Sequence, residues 1–378
     1  MMNVNSILIY LPEICIAVFG MVVLLQILYY LVLFSRFSFH KQKSIEKSYK
    51  NAPVSIVVVA KNDAHILINT LPELLNQDYP QFEVVVVNNN SKDETAQLVI
   101  DLQNRFSNLR LVNLESSVTN IRGKKFPLSL GIKAANYEHI LLTDVDCLPT
   151  SNQWISLMAQ HFSDTTQIVL GYSRIRKKIG FINSLIRFDR LHQALQYFSY
   201  CLAKMPFMGM GQNLAYTKTI FFKNKGFAYQ NHLQFGDDDL FIDRVVTDRN
   251  CAIEYAKEAH TISRFGANFS QWFSLKMFRR RTRKFYYKPK RFLLNFYHFL
   301  MTFFYIALGF AVYFTFSNLI YLTVVLGIIL LKFIMQYICF GLAATKLDEK
   351  RLIPHILFYD IFFAFFNPMI YISSIFKK

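Results

Sequence analysis

Cysteine is scarce in this chain, and its spacing lacks the patterns that bind metals. The five cysteines are scattered over 378 residues, with no Cys-x-x-Cys pair and no Cys/His spacing typical of zinc sites. This absence argues against a zinc-stabilised domain and suits a reducing compartment such as the cytoplasm. Cys147 directly follows Asp146, and we interpret it as a packing residue.

Glycine-rich phosphate-binding loops are also absent. The sequence contains neither a Gly-x-Gly-x-x-Gly fingerprint nor a Walker-type loop. A dinucleotide-dependent enzyme and a P-loop ATPase are therefore not expected. No internal repeat or low-complexity segment is visible either.

Acidic residues are few relative to basic ones. The chain has 42 Lys and Arg against 25 Asp and Glu, a formal net charge of +17 that could indicate a nucleic-acid partner. The basic residues, however, border long apolar segments, where anionic lipid headgroups attract them. We therefore expect membrane lipids, and no nucleic acid, as partners.

Long apolar runs are abundant in this 53% hydrophobic chain. Residues 7–34 are long enough to cross a bilayer but lack the basic start and cleavage site of a signal peptide, so we predict an uncleaved anchor. Residues 293–316 and 319–344 predict two more spanning segments. Lys332 within the latter must face a protein interior, pair or snorkel. Residues 352–376 contain prolines and polar residues; they either span the membrane, which we favour, or lie in its interface or re-enter it.

Basic residues flank these runs on the side of the central region. They are Arg36, Lys41, Lys43, Lys47, Lys50, Lys284, Lys288, Lys290 and Arg291. Because such flanks stay in the cytoplasm, the central domain is expected to be cytoplasmic. This orientation also places Lys346, Lys350 and Arg351 in the cytoplasm if the apolar runs 293–316 and 319–344 form a hairpin. The terminal Lys377-Lys378 conflicts mildly with it if the last run spans.

Four parts are predicted along the chain. They are an N-terminal transmembrane anchor (residues 1–35), a basic juxtamembrane linker (36–52), a cytoplasmic domain (53–287) and a C-terminal membrane region with two to three transmembrane segments (288–378). Within the cytoplasmic domain, residues 181–204 have helical apolar spacing. They predict either a helix on the membrane surface or an ordinary core-facing helix.

Strand-like and helix-like stretches alternate in the cytoplasmic domain. Strands are predicted at residues 54–59, 82–87, 109–114 and 139–143, and helices at 66–77, 94–106 and 126–136. The first two strands are β-branched runs typical of strands buried on both faces. The alternation predicts an α/β fold with a mostly parallel sheet flanked by helices. Ligands of such sheets bind beyond the carboxyl ends of the strands.

Polar clusters stand at these strand ends. They are Asn62-Asp63, residues 88–93 and Asp144-Val145-Asp146. The last is the most informative, because two ionised carboxylates this close repel each other unless a cation lies between them. A hard divalent cation prefers oxygen ligands and leaves room for phosphate oxygens, which points to a nucleotide diphosphate. The alternative is a solvated turn after a strand.

In their order, these motifs resemble those of the family 2 glycosyltransferases with the GT-A fold, in particular their membrane-anchored bacterial branch. The resemblance covers roughly residues 53–287 and also includes the run from Gly123-Lys124 to Gly131. Asn88 replaces an acid that is usual in the second motif, and Ser129 replaces an Asn of the third. The resemblance implies a bacterial inner (plasma) membrane and a Mg²⁺ or Mn²⁺ cofactor.

The resemblance also implies roles for single residues. Asp144 and Asp146 would bind the metal, and Asp237 or, with a shift of one residue, Asp238 would be the catalytic base. The nucleotide-sugar-binding residues would be Asn62, Asp63, Asn88, Asp93, Lys124, Asp144, Arg279 and Arg280. The acceptor-side residues would be Gly211, Asn213, Asp239 and Trp272. The acids at 237–239 could instead form the first turn of a helix, where they favour the dipole, and the two interpretations can hold together.

The last motif of the family, Gln-x-x-Arg-Trp, is incomplete in this chain. Trp272, Lys276, Arg279 and Arg280 occupy its region, but the Gln and the final Trp are missing. The basic run could hold the diphosphate of a donor or lie on lipid headgroups. This departure leaves processive polysaccharide synthesis without support from the sequence.

The expected activity is metal-dependent, inverting transfer of a sugar from a nucleotide-sugar donor to a lipid-linked or polysaccharide acceptor. Two alternatives stay open. A nucleotidyl- or phospho-transferase would use the same metal–diphosphate site without the late acids as base. A catalytically silent membrane scaffold is the other, given the replacements at Asn88 and Ser129.

Overall fold

The computed structural model describes residues 10–42, 52–114, 123–230, 233, 235–263 and 268–376. Residues 7–9 of the first apolar run and the basic residues Lys43, Lys47, Lys50, Lys377 and Lys378 lie outside this part. The chain divides into two compact units. The helical unit comprises Met1–His40, Phe273–Thr345 and Glu349–Lys378, and the sheet unit comprises Lys41–Trp272 and Lys346–Asp348. The four-part division predicted from the sequence stays a prediction.

Helices and strands are numbered in chain order. The helices are α1 (Leu11–Ser38, with a π-helical turn at Tyr30–Phe34), α2 (Ala64–Leu75), α3 (Thr95–Gln103), α4 (Lys125–Ala134), α5 (Trp154–Ala159), α6 (Phe181–Leu202), α7 (Lys218–Lys223), α8 (Asp239–Val245), α9 (Phe269–Thr282), α10 (Lys288–Thr315), α11 (Leu319–Lys346) and α12 (Ile356–Phe376). The strands are β1 (Val54–Ala60), β2 (Phe82–Asn88), β3 (Leu109–Asn113), β4 (His139–Leu142), β5 (Cys147–Pro149), β6 (Ile168–Leu170), β7 (Ser173–Ile175), β8 (Leu214–Thr217), β9 (Cys251–Ile253) and β10 (Thr261–Ser263).

Seven strands form the main sheet of the sheet unit, in the order β3-β2-β1-β4-β8-β6-β9. The first four strands in this order are parallel to one another, whereas β8 is antiparallel to both β4 and β6, and β9 is parallel to β6. β1 and β2 are rich in buried valine, as strands covered on both faces should be. The predicted α/β fold with a mostly parallel sheet is confirmed, and its first four strands lie within a few residues of their predicted bounds.

Helix α4 packs on β1 and β2 at Gly131, where no larger residue fits. A Cβ atom on Gly131 would lie 2.6 Å from Val57 Cγ1 and 2.7 Å from Val87 Cγ2. Both valines are fully buried, so they cannot move aside without disturbing the close-packed core. Gly131, the last residue of the motif that begins at Gly123-Lys124, is therefore required for close packing of the helix on the sheet.

Replacing Gly131 by alanine is expected to destabilise the protein by about 1–3 kcal/mol, the usual cost of an extra methyl group in a packed core. Thermal unfolding of the detergent-purified chain should show the loss as a lower Tm. Gly309→Ala is the control, because nothing lies within 4 Å of a Cβ at that helical glycine. A wild-type Tm for the Gly131 variant would contradict this account of the helix packing.

A second sheet of three strands, in the order β5-β10-β7, begins directly after the acidic triplet. β10 is antiparallel to β5 and parallel to β7. Helix α6 is buried along most of its length and packs against β7 and β9. Of the two alternatives for residues 181–204, the structure therefore shows the core-facing helix.

Two cysteines that are distant in the sequence are neighbours in the sheet unit. Cys201, at the end of α6, and Cys251, at the start of β9, have sulfur atoms 3.4 Å apart and are not joined by a disulfide bond. They are separated by 50 positions in the sequence. Only the packing of α6 on the sheet brings them together, so spacing could not reveal the pair.

A mild thiol oxidant is expected to join Cys201 and Cys251, each thiol losing its hydrogen to the oxidant as the sulfur atoms bond. Closing a loop of this length should stabilise the fold by about 4 kcal/mol through the unfolded state, so the Tm should rise. Peptide mass spectrometry should identify the cross-link, and Cys201→Ser should remove both it and the shift in Tm. A disulfide between other cysteines would contradict the geometry.

Four helices among the described residues are long and apolar enough to cross a membrane. They are Leu11–Ser38, Lys288–Thr315, Leu319–Lys346 and Lys350–Ser374. In the helical unit, α1 packs along α10. The rings of Tyr29 and Tyr297 stack with centroids 4.6 Å apart, and the Gln26 side chain donates to the Leu300 carbonyl oxygen at 2.7 Å.

Lys332, in the middle of α11, is buried in a polar cluster of the helical unit. Its Nζ lies 2.7 Å from both Asp360 Oδ2 and Gln336 Oε1. Asp360 also accepts hydrogen bonds from Gln336 Nε2 at 2.7 Å and from the Tyr305 hydroxyl at 2.6 Å. Of the outcomes expected for this lysine, burial with a partner is the one observed, and the cluster ties α10, α11 and α12 together.

Candidate functional site

A cavity of about 350 Å³ opens beyond the carboxyl ends of β1 and β4, where ligands of parallel sheets bind. It is lined by Val59, Asp63, Ile66, Lys124, Asp144, Val145 and Asp146. Three of the motifs identified in the sequence therefore meet at one cavity. The motif at residues 88–93 does not contribute to this lining.

The acidic triplet lies in a turn and not on a strand. β4 ends at Leu142 and β5 begins at Cys147, so the triplet follows one strand and precedes the next. The Cys147 N–H closes the turn by donating to the Asp144 carbonyl oxygen at 3.0 Å. The turn still brings a carboxylate oxygen of each aspartate and the Cys147 sulfur within 4.8 Å of one another.

Neighbouring groups decide which atoms of this cluster could hold a cation. The Ser263 hydroxyl on β10 donates to Asp146 Oδ2 at 2.8 Å and so orients that carboxylate. Burial, with added repulsion from Asp146 and Asp144, raises the pKa of the Cys147 thiol well above its usual value. A protonated thiol is a poor ligand, and hard cations prefer oxygen. The candidate ligands are therefore the carboxylates of Asp144 and Asp146.

Lys124 adds a positive charge to the wall of the cavity. Its ammonium group forms an ion pair with Asp144 Oδ1. Burial alone would lower the pKa of Lys124, but the carboxylates of Asp144 and Asp237 raise it above its usual value. Lys124 is therefore a permanent cation that a phosphate group entering the cavity can contact.

Asp238 caps helix α8. Its Oδ1 accepts a hydrogen bond from the Asp239 N–H at 2.8 Å, and its Oδ2 accepts one from the Gly211 N–H at 3.3 Å. The interpretation of these acids as the start of a helix is therefore confirmed for Asp238 and Asp239. It does not exclude a chemical role for the preceding acid, because Asp237 lies outside the helix.

Asp237 shares an electrostatic environment with the acidic turn. Burial and the adjacent carboxylate of Asp238 raise the pKa of Asp237 to about 6, while Lys124 acts in the opposite direction and Asp144 adds a small increase. These influences link the acids near residue 237 to those near residue 144. A carboxylate with this pKa is suited to accept a proton near neutral pH.

Two of the predicted nucleotide-sugar residues, Asn62 and Asp93, connect the loops that follow β1 and β2. Asn62 Oδ1 accepts from the Lys92 N–H at 2.7 Å, and Asp93 Oδ2 accepts from the Ala64 N–H at 3.1 Å. Asn88 is buried; its Oδ1 accepts from the Ser91 N–H at 3.1 Å within its own loop, and its Nδ2 donates to Asn113 Oδ1 on β3 at 2.8 Å. Unlike Asp63, these side chains shape the loops and do not line the cavity.

Asn213, predicted on the acceptor side, is a buried cross-link. Its Nδ2 donates to the carbonyl oxygens of Tyr172 at 3.0 Å and Ala259 at 2.8 Å. Its Oδ1 accepts from the Trp154 indole N–H at 3.0 Å. Because the residue is fully buried and its polar atoms are engaged, we leave Asn213 out of the acceptor site.

Two other acceptor-side predictions are also buried. Asp239 Oδ1 accepts a backbone N–H within the first turn of α8 at 2.8 Å. The Trp272 indole N–H donates to Asp189 Oδ2 on α6 at 2.9 Å. Both side chains support neighbouring helices, so we leave them out as well. Gly211 alone of the four remains beside the acids that begin α8.

Arg279 and Arg280, on α9, belong to the helical unit. Arg280 Nη1 donates to Asn295 Oδ1 at 2.8 Å, and its guanidinium lies 4.4 Å from the centre of the Tyr371 ring. These contacts are compatible with either role considered for the basic run, a donor diphosphate or lipid headgroups. Both alternatives stay open.

Sequence interpretation did not identify two residues that hold candidate site residues, or their neighbours, in place. Ser263 stands 117 positions from Asp146, the residue it orients. Arg190 on α6 donates to Gln212 Oε1 at 2.8 Å and so fixes the loop next to Gly211. No motif marks either residue, since their contribution depends on three-dimensional packing.

Comparisons with known proteins agree with this geometry. The sequence model of the family described as "Glycosyl transferase family 2" matches residues 55–229. A poly-β-1,6-N-acetyl-D-glucosamine synthase of Staphylococcus epidermidis is 28% identical over 134 residues, which cover 35% of this chain and 31% of the synthase. A synthase of the same name from Staphylococcus aureus is 24% identical over 152 residues, or 40% and 35% of the two chains. The match thus spans about a third of the length of these curated relatives.

Structural comparison supports the same fold. A mannosyltransferase from Pyrobaculum calidifontis, solved in complex with GDP-mannose and Mn²⁺, superposes with a TM-score of 0.57 at 18% identity. The superposition covers 93% of this chain and 99% of that one. At this identity the likeness concerns the fold alone. Residues 55–229 thus match the family 2 glycosyltransferases in sequence, and the chain has the GT-A fold.

Proposed function

We propose that this chain is a membrane-bound glycosyltransferase that moves a sugar, with inversion, from a nucleotide-sugar to an acceptor hydroxyl. The observation that carries the proposal is the convergence of Asp144, Asp146 and Lys124 on one cavity, within the electrostatic reach of Asp237. The family match favours sugar transfer over nucleotidyl or phosphoryl transfer. A silent scaffold would not require Asp237, a carboxyl whose pKa is raised by burial and that lies within the electrostatic reach of Lys124 and Asp144.

Asp144 and Asp146 are proposed to hold Mg²⁺ or Mn²⁺. The donor set fits such an ion, because both groups are carboxylates whose oxygens come together in one turn. A divalent cation bound there would neutralise charge on the leaving diphosphate. Ser263 would keep one oxygen of Asp146 oriented, as outer hydrogen-bond partners of metal ligands commonly do.

Asp63 and Lys124 are proposed to bind the donor directly, since both line the cavity. Lys124 would contact the phosphates, and Asp63 would accept hydrogen bonds from the base or ribose. Asn62, Asn88 and Asp93 would act indirectly, because their hydrogen bonds hold the backbone of the loops around the nucleoside.

Asp237 is proposed as the general base. Asp238 already accepts hydrogen bonds from two backbone N–H groups, which favours its neighbour for proton uptake. Asp237 would remove the proton of the acceptor hydroxyl as its oxygen bonds to the anomeric carbon and the diphosphate departs. A single displacement of this kind inverts the configuration at that carbon.

The acceptor is proposed to be a growing polysaccharide or a lipid-linked sugar. The names of the curated relatives make N-acetylglucosamine and its β-1,6-linked polymer the first pair to test. The match covers about a third of those synthases, so donor and acceptor must be established on this chain itself.

We further propose that the sheet unit lies on the cytoplasmic side of a bacterial inner membrane that the chain crosses several times. Gln42, which follows α1, donates to Glu254 Oε2 in the sheet unit at 2.7 Å. Asp348, between α11 and α12, forms ion pairs with Arg174 and Lys177 of the sheet unit. Both junctions would then lie on the cytoplasmic side, with α10 and α11 forming a hairpin. A C-terminal reporter should be accessible only from outside if α12 spans; accessibility from the cytoplasm would reject that arrangement.

A donor screen tests the proposed activity. Purified chain in native membrane extract is supplied with radiolabelled UDP-, GDP- and dTDP-sugars, with and without a chelator. We expect transfer of one sugar into a lipid or polymer fraction, lost with chelator and restored by Mg²⁺ or Mn²⁺. Transfer that persists at full rate in chelator would reject the metal site, and release of a nucleoside monophosphate together with a sugar phosphate would favour the phosphotransferase alternative.

A further inference from the structure

A groove of about 480 Å³ runs along one face of α10 in the helical unit. It is lined by Lys288, Arg291, Phe292, Asn295, Phe296 and Phe299. These positions recur at three- and four-residue steps, so they form a continuous stripe on a single helix. None of them lines the cavity at the acidic turn. We call this feature the basic groove.

The chemistry of the basic groove changes along the helix. Its two cationic residues stand in the first turns, and its phenyl rings continue toward the middle of the helix. Phe292 and Phe299 are 65% and 56% exposed, and Phe292 stacks on Phe296 with ring centroids 5.6 Å apart. On a helix long enough to cross a membrane, this order matches a lipid, with its charged head at the surface and its chain in the hydrocarbon.

The positive charge at the groove has no acidic neighbours in sequence to offset it. The chain contains no Asp or Glu between Glu258 and Asp348. Arg280 adds a guanidinium that is bonded to Asn295 in the groove. Burial and the neighbouring Arg283 lower the pKa of Arg280 to about 10, so it remains charged near neutral pH. The ligand that complements this surface is therefore an anion.

We propose that the basic groove binds an anionic glycerophospholipid of the surrounding bilayer, with the phosphate at its cationic end and an acyl chain along its three phenyl rings. A free phosphate or a nucleotide would leave the rings uncovered. A second copy of the chain would bring two clusters of like charge together, which is unfavourable. A zwitterionic lipid would bring no net charge to the cations.

Native mass spectrometry of the full, delipidated chain with equal amounts of phosphatidylglycerol and phosphatidylcholine tests this proposal. We expect phosphatidylglycerol to bind preferentially. The variant Lys288→Gln/Arg291→Gln should lose about 25-fold in affinity for it, since each basic residue near an anionic lipid surface contributes about a factor of five. Lys290→Gln is the matched control, because Lys290 lies on the same helix but does not line the groove.

A second variant tests the apolar half of the groove. Phe292→Ser/Phe299→Ser should weaken binding of long-chain phosphatidylglycerol while leaving the fold intact by circular dichroism. Equal affinity for the two phospholipids, or undiminished affinity in both double variants, would overturn the proposal. Stronger binding of a polyprenyl phosphate or of glycerol 3-phosphate than of phosphatidylglycerol would overturn it as well, by assigning the groove to another anion.

Discussion

Replacing Asp146 by asparagine should lower the rate of sugar transfer by roughly a thousandfold, because it removes charge stabilisation of the leaving diphosphate. The amide keeps the size of the side chain, and its oxygen can still accept the hydrogen bond that Ser263 donates to Asp146. Folding and membrane insertion should therefore be unaffected, which the Tm and the membrane fraction can verify. Initial rates with the donor found in the screen, measured over a range of Mn²⁺ concentrations, give the effect directly.

Ser263→Ala provides a graded comparison for that experiment. It removes the hydrogen bond that orients Asp146, so the affinity for metal should fall about ten- to a hundredfold. Raising the Mn²⁺ concentration should restore the rate of the Ser263 variant but not that of the Asp146 variant. Wild-type turnover in Asp146→Asn would show that another group holds the cation.

Replacing Asp237 by asparagine is expected to reduce kcat by a factor of about a hundred to ten thousand, the range for loss of a general base. In the wild type the base must be deprotonated, and the pKa of Asp237 is raised to about 6. At constant metal concentration, kcat/KM should be level above that pH and fall tenfold per unit below it. A pH–rate profile of the wild type should show this fall at acidic pH, which we call the acidic limb. The profile of Asp237→Asn should lack it.

The variant Asp238→Asn tests whether Asp237 or Asp238 is the general base. The carboxylate of Asp238 raises the pKa of Asp237, so its neutralisation should move the acidic limb to lower pH. Because the asparagine side chain can still cap α8, kcat above the limb should stay close to that of the wild type. If Asp238→Asn lost activity as severely as Asp237→Asn, with the limb unmoved, the base would have to be reassigned to Asp238.

Local sequence patterns predicted the parts of the fold that depend on local chemistry. Valine-rich runs predicted β1 and β2 because strands covered on both faces need apolar residues throughout. The order of strands and helices then predicted that their carboxyl ends share one edge, and Asp63, Lys124 and Asp144 do line one cavity there. Long apolar runs predicted the four helices that can cross a membrane.

Features that depend on packing between distant segments were beyond the reach of the sequence. Asn213 matches a motif at the acceptor side, yet Trp154 and two backbone carbonyls use its side chain in the core. The orientation of Asp146 comes from Ser263, on a strand that no pattern connects with it. A motif marks which residues a fold needs, but it does not distinguish a group that contacts a ligand from one that supports the contact.

The most direct test of the account is to detect phosphorus near a cation bound at the acidic turn. Pulsed electron–nuclear double resonance of Mn²⁺ with UDP or GDP should show ³¹P coupling in the wild-type chain. The coupling should disappear in Asp144→Asn/Asp146→Asn and persist in Asp237→Asn, which removes the base but leaves both carboxylates of the turn. A phosphorus coupling that survives the double replacement would place the cation and the diphosphate elsewhere and contradict the proposed site.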